Sequence, residues 1–365
     1  SRQSALNLLG RRHVSSRCCT FCLFRMKLLL VLLPLLFGFD PTYSAPSCRD
    51  TSNHLYDERE YTCFSFSKAE DFQQYVPKDL NFPRLRFVLK ECLLDHVPGA
   101  ALAGIPALSL DFDNCKAKSF SLSTAAESNP FHGLEETVSR MGFMHNSSIP
   151  ESWSLLKDLS RLKELAFYQM AGLDLTPDFN SLPQSVRRVL IFRSTIARVS
   201  ERWLASMHNL EEVWIQESNL KFFSRSMLPR PAPKLWRLHL QGCFLSSLPR
   251  DFSDDLPVMR HLSLEDNQIT TFEEESLAPL KAERTYVGLY GNPVHCDCKI
   301  KFLVGYSEHW RFPLCKTPDA LAGVRLNELT EQQLNCTATT TNSPVITTSP
   351  AGVGGGLFDF FGNEE

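Results

Sequence analysis

The sequence predicts an α/β solenoid, a horseshoe whose short parallel strands line the concave face and whose ends are closed by cysteine-rich caps. Three observations predict it. An apolar pattern returns every 24 or 25 residues through the middle of the chain, cysteines gather at the two ends of that pattern, and the stretches between its strands are too short for the helices of an ordinary α/β sheet. Composition fits a folded protein: of 365 residues, 43% are apolar and 22% charged, and the net charge is -3. No basic excess offers a surface to nucleic acid.

The amino-terminal region reads as processing sequence. Met26 and Lys27 open the apolar run Leu28 to Phe39, which small and polar residues follow up to Ala45. A positive start, an apolar core of about 12 residues and a small-residue boundary predict a signal peptide over 26–44, cleaved after Ser44. The run falls well short of the roughly 20 residues a membrane helix needs. Residues 1–25, with Cys18, Cys19 and Cys22, then read as upstream sequence outside the fold. An N-terminal cap is expected over 45–83, stapled by Cys48 and Cys63.

Repeats are expected over 84–291, about nine copies of L-x-x-L-x-L-x-x-(N/C/S)-x-L. Clean copies carry Leu162, Leu165 and Phe167; Val186, Val189 and Ile191 with Ser194; and Leu210, Val213 and Ile215 with Ser218. Leu235, Leu238 and Leu240 with Cys243, then Met259, Leu262 and Leu264 with Asn267, continue the series, which Val287 and Leu289 with Asn292 close. Upstream, Phe87 and Leu89 with Cys92, and Leu110 and Phe112 with Cys115, also match. Alternate residues of a strand face opposite ways, so each apolar pair can be buried only against the next copy, and the copies stack. The Asn, Cys or Ser three places on turns inward to bond backbone left unpaired at the bend. These features make the chain a leucine-rich-repeat protein. The copies are irregular near 116–150: Phe112 and Phe167 are separated by two repeats and about seven extra residues, so an insertion is expected near Ser123 to Pro130. The best intermediate copy is Met141 and Phe143 with Asn146 as the inward residue. Asn146-Ser147-Ser148 is also a glycosylation sequon, and an inward Asn cannot carry a glycan.

Asn292 to Cys336 contains N-P-x-x-C-x-C, Trp310, Cys315-x-x-Pro318, then Leu321-x-Gly323-x-x-Leu326, and resembles the C-terminal cap of extracellular leucine-rich-repeat proteins such as Slit and the Toll receptors. Spacing leaves three pairings of Cys296, Cys298, Cys315 and Cys336 open, and the resemblance implies Cys296–Cys315 and Cys298–Cys336 in a cap over 292–336. The two-cysteine N-terminal cap departs from the four-cysteine version common in that family. His295, Cys296, Cys298, Cys315 and His309 also include zinc-ligand types, but a secreted chain oxidises its thiols, so no metal is expected. Cys92, Cys115 and Cys243 take inward positions as buried thiols, and nine cysteines after residue 45 leave at least one unpaired. Residues 337–365 form a Thr/Ser/Pro- and Gly-rich tail, expected to be disordered.

No nucleophile elbow, phosphate loop, dinucleotide fingerprint or H-E-x-x-H motif is present, so no enzyme, catalytic residue or cofactor is expected. Binding is the expected role, with an extracellular protein or glycan as partner and with no nucleic acid and no membrane span. Between the inward anchors, Glu164, Ala166 and Tyr168 should stand beside Arg188, Leu190, Phe192 and Arg193 on the concave face. Glu212, Trp214, Gln216 and Glu217, then Arg237, His239 and Gln241, should follow. Tyr168, Leu190, Phe192 and Trp214 are expected to form an apolar patch rimmed by charge, while the flanking copies, with Ser263, Glu265 and Asp266 or with Ser109, Asp111 and Asp113, should be polar. His239 and His261 are read as exposed surface. Asn335-Cys336-Thr337 is a second glycosylation candidate. A secreted binder is the leading reading, and a receptor ectodomain whose anchor lies outside this sequence is the alternative. The short N-terminal cap, the repeats, the single C-terminal cap and the Thr-rich tail also resemble the non-catalytic leucine-rich-repeat subunit of shrimp luciferin oxygenase and its arthropod relatives. That resemblance implies a hetero-oligomer.

Overall fold

The computed structural model describes residues 44–53, 58–80, 82–121, 129–281 and 285–336. The expected signal peptide, the upstream segment, the tail and most of the expected insertion lie outside them. The chain divides after Arg198 into two compact units, each a stack of leucine-rich repeats.

In the first unit, β1 (Ser47–Asp50) and β2 (Arg59–Phe64) form an antiparallel pair that places Cys48 opposite Cys63, and the two are bonded. β3 (Leu85–Lys90) continues the sheet in parallel from β2. A short pair, β4 (Leu93–His96) with β6 (Lys116–Ser119), forms behind it, and the main sheet goes on through β5 (Ala107–Asp113), β7 (Arg140–Met144), β8 (Glu164–Tyr168) and β10 (Arg188–Phe192). β9 (Leu173–Leu175) and β11 (Ile196–Val199) make a second short pair. Alternation decides the core: in β8 and β10 the second and fourth residues are buried and the others half-exposed.

The core of this unit is a run of rings. Phe112 stacks on Phe143 at 5.3 Å, Phe143 on Phe167 at 5.9 Å, and Trp153 meets Phe179 at 4.8 Å. The long copy spans Phe112 to Phe143, and the regular spacing resumes from Phe143 to Phe167.

In the second unit, β12 (Glu212–Gln216), β13 (Arg237–His239), β14 (His261–Ser263), β15 (Tyr286–Gly288) and β17 (Trp310–Arg311) pair in parallel. β16 (Val294–His295) with β18 (Cys315–Thr317) belongs to the cap, where Cys296 is bonded to Cys315 and Cys298 to Cys336. Trp310, Leu326, Leu329 and Leu334 are buried in that cap, as an end seal requires. Behind the sheet, Arg225 is fully buried and donates to the carbonyls of Asp254, Pro229 and Asp255, which ties two turns together.

Most bends that follow a repeat strand of the main sheet use one residue in the left-handed region, just before the inward ladder residue. Glu91, Asn114, Gln169, Arg193, Glu217 and Asp266 take it with a side chain, and Gly242 and Gly291 without one. The exception corrects the sequence reading. After β7 both His145 and Asn146 are left-handed, at φ 50° and 60°, so one extra residue enters the bend. Asn146 is therefore exposed, and Ser147 is the inward residue, its hydroxyl donating to Phe112 O at 2.9 Å and accepting from Cys115 N–H at 2.9 Å.

Candidate interaction surface

The outward side chains of the first unit form columns, because parallel register sets like positions side by side. One column is ionic. Glu60 holds Arg86 at 2.9 Å, Arg86 reaches Asp111 at 2.5 Å, and Glu164 stands between Arg140 at 3.4 Å and Arg188 at 2.8 Å. Charges of opposite sign on neighbouring strands neutralise one another and leave no field of a single sign. Burial outweighs the Arg86 guanidinium and lifts the Asp111 carboxyl above its ordinary pKa. Gly142 lies opposite Asp111, whose carboxylate occupies the space a Cβ would need.

Beside the ionic column the surface turns apolar. Ala166 lies opposite Leu190, and Met144, Tyr168 and Phe192 follow in register across β7, β8 and β10, all half-buried. His145 packs edge-on against Tyr168 at 5.8 Å and holds Asp113 at 2.5 Å, while Lys90 holds Asp113 from the other side at 3.2 Å. Arg193 is exposed in the bend after β10 and donates to the Tyr168 hydroxyl at 3.3 Å. Tyr168, Arg188, Leu190, Phe192 and Arg193 are thus brought together. Met144 joins them unanticipated: its copy was read as irregular, although Met141 and Phe143 already fixed which way it points.

The second unit carries a different surface, a ladder of stacked rings. Trp214 lies 4.3 Å from His239 with the planes 12° apart, His239 lies 6.1 Å from His261, and His261 lies 4.5 Å from Tyr286. The Arg237 guanidinium sits over both Trp214 and Trp236 and meets Glu212 at 3.3 Å, and Trp214 Nε1 donates to Glu212 at 3.1 Å. Two expectations are corrected here. His239 is only 8% exposed, covered by the rings on either side, and its ring nitrogen Nε2 faces Gln241 at 3.1 Å. Ser263 and Glu265 are buried too, Glu265 beneath Tyr286 at 3.1 Å and Arg311 at 3.1 Å, as are Ser109, Asp111 and Asp113 in the first unit, so of the expected polar residues Asp266 alone is exposed. Gln216 is half-exposed at the end of β12.

Burial sets the protonation of the ladder. It pushes the His261 imidazole down to a pKa of about 4, with Arg237 and His239 adding to the effect, and it lowers His239 in the same direction. Both rings are neutral at pH 7. Sequence reasoning missed the ladder because its rings shift once between two strand positions: Trp214 pairs with His239, whereas His261 lies opposite Arg237 and pairs with Tyr286.

No group of three metal-ligating side chains is found among the described residues, and none of their helices is long and apolar enough to cross a membrane. Three disulfides among the described residues mark the chain as extracellular.

No protein-family profile matches the chain. It is similar to mouse CD180 antigen, 25% identical over 232 residues that cover 48% of this chain. The chain spans about a third of that protein, 35% of its length. Among solved structures it resembles a chain of the octameric complex of latrophilin 3, Unc5D and the FLRT2 leucine-rich repeats, with a TM-score of 0.51 and 16% identity over 76% of this chain and 90% of that one. Human 5T4, also called trophoblast glycoprotein, matches with a TM-score of 0.48 and 19% identity over 76% of this chain and 95% of that one. The FLRT2 complex fixes the leucine-rich-repeat fold.

Proposed function

We propose that this protein is a non-catalytic extracellular recognition module that binds another protein through the outward face of its sheet. The observation that carries the reading is the half-buried apolar block of Met144, Tyr168, Leu190 and Phe192, edged by carboxylates and by lysine and arginine side chains that already pair with each other. An apolar centre inside a self-neutralised polar rim loses little on desolvation and gains the burial of two aromatic side chains. Trp214, stacked and held by Glu212 and Arg237, is a pre-ordered anchor on the face of the second unit. Partners of protein chemistry are favoured over glycans, because the ring faces of the ladder are spent on one another and on Arg237 rather than left open to a sugar. The octameric complex containing the FLRT2 repeats supports association with other extracellular proteins. The match to part of the longer CD180 antigen supports the receptor form of this reading, in which the same face belongs to an ectodomain.

The test is a binding array of purified extracellular domains probed with the secreted protein. At least one is expected to bind, and Phe192→Ala or Trp214→Ala to weaken it by roughly 30-fold, about 2 kcal/mol, with folding intact. Full affinity in both variants would move binding off the sheet face.

A further inference from the structure

Nine cysteines lie among the described residues, and six are paired in the caps. The remaining three are Cys92, Cys115 and Cys243, all buried. Two of them are neighbours. Leu89 lies opposite Phe112 and Lys90 opposite Asp113 in the main sheet, while Leu93 lies opposite Lys116 in the short pair behind it. The same offset on both sides of the bend sets Cys92 opposite Cys115. Backbone bonds from Glu91 N–H to Asp113 O and from Lys116 N–H to Cys92 O, each 2.8 Å, bracket the two cysteines. Both side chains are buried, 3% and 2% exposed, and the two thiols are close enough to interact.

Adjacent strands stand about 4.8 Å apart, inside the Cα separation of roughly 4.4 to 6.8 Å over which a disulfide closes. The Cys48–Cys63 staple of the same chain is likewise a pair of directly opposed residues on adjoining strands, with Cα atoms 4.0 Å apart. Sequence reading treated Cys92 and Cys115 as separate ladder residues; the register makes them one pair.

We infer that Cys92 and Cys115 form a fourth disulfide when the protein matures in an oxidising compartment, which stitches two successive repeats together and leaves Cys243 as the single thiol among the described residues. The oxidant is a disulfide, of the glutathione or oxidoreductase class. One cysteine thiolate attacks it, forming a mixed disulfide and releasing one reduced thiol. The second thiolate then attacks the mixed disulfide, the Cys92–Cys115 bond forms, and a second reduced thiol leaves. Two electrons and two protons pass from the pair to the oxidant. Burial raises the Cys115 thiol well above its ordinary pKa, so few thiolates exist once the repeats have closed, and the exchange belongs to folding rather than to the finished protein. Burial likewise pushes Cys243 up to about 11 and keeps it inert.

One digest reads the answer. No Lys or Arg lies between Glu91 and Lys116, so trypsin releases Cys92 and Cys115 in a single peptide. The full chain is secreted from cultured cells, denatured without reductant, alkylated and digested. The inference predicts peptide 91–116 unalkylated and lighter by two hydrogens than its reduced form, with Cys243 the one alkylated cysteine among the described residues. In the Cys92→Ala variant, Cys115 should become alkylated, raising the labelled count from one to two. The three cap disulfides, unlabelled in the same sample, certify that the chain met an oxidant. If they are intact while Cys92 and Cys115 both carry the label, the inference is wrong.

Discussion

Replacing Asn267 by alanine removes the most heavily used side chain of the inward ladder. Its amide nitrogen donates to Leu240 O at 2.7 Å, Leu264 O at 2.9 Å and Glu265 O at 3.2 Å, and its oxygen accepts from Leu245 N–H at 3.1 Å. Not all of these groups are orphaned. Leu264 O keeps the Asn292 amide at 2.9 Å, and Glu265 O keeps Gly242 N–H at 2.9 Å. Leu240 O and Leu245 N–H lose the bond Asn267 made, in a site only 1% exposed at Asn267 itself. At about 1 to 3 kcal/mol for each buried group left unsatisfied, and with partial relaxation, the loss is roughly 2 to 4 kcal/mol. Urea unfolding followed by far-ultraviolet circular dichroism measures it: the midpoint should fall with the slope unchanged. A loss under about 1 kcal/mol would mean that these bends do not depend on the ladder residue, and the physical account of the repeat would fail with it.

Other outcomes are expected alongside. Cys298→Ser should cost roughly 2 to 5 kcal/mol by opening the terminal staple, while Cys243→Ser should cost far less, since Ser194 and Ser218 already fill the same ladder position and bond the carbonyls of Phe192 and Gln216; thermal melts that rank the two the other way contradict the cap assignment. His261, at about 4 in the fold against about 6.5 in the unfolded chain, is neutral when folded, so its contribution is fully present above pH about 6.5 and is lost as pH falls from there toward 4. An imidazole titration by NMR near pH 6.5 would refute the burial of the ladder. Asn146, exposed in the bend, should carry glycan in secreted protein, as should exposed Asn335, and peptide mapping with and without glycosidase reads both.

Much of this fold was legible because a repeat states its own period. The anchors Leu165, Phe167, Val189, Ile191, Leu262 and Leu264 each had to face inward once one of them did, and all are buried. The inward Ser194, Ser218, Cys243, Asn267 and Asn292 followed from the same spacing. What escaped was local. Asn146 matched the ladder letter at the ladder spacing, yet a second left-handed residue shifted the count by one and gave the place to Ser147, a choice between neighbours that spacing alone cannot make. Exposure escaped as well. Strand alternation gave the side of the sheet on which His239 and Glu265 stand, but whether they meet solvent depends on Trp214, His261, Tyr286 and Arg311 from other copies. The thiol pair was hidden for a related reason, since only pairing register shows that two ladder positions of successive copies touch.

The claim that the sheet face is the binding surface is tested most directly by covering it. The double substitution Leu190→Asn with Phe192→Thr leaves buried Ile191 in place and creates a glycosylation sequon on β10, while Ala197→Asn with Val199→Thr puts an equal glycan on β11, off the main sheet. Affinity of each secreted, glycan-verified variant for the tightest extracellular domain from the array is then measured by surface plasmon resonance. The account predicts that the β10 glycan abolishes binding at an unchanged melting temperature and that the β11 glycan leaves it intact. Undiminished binding with the β10 glycan in place would contradict it.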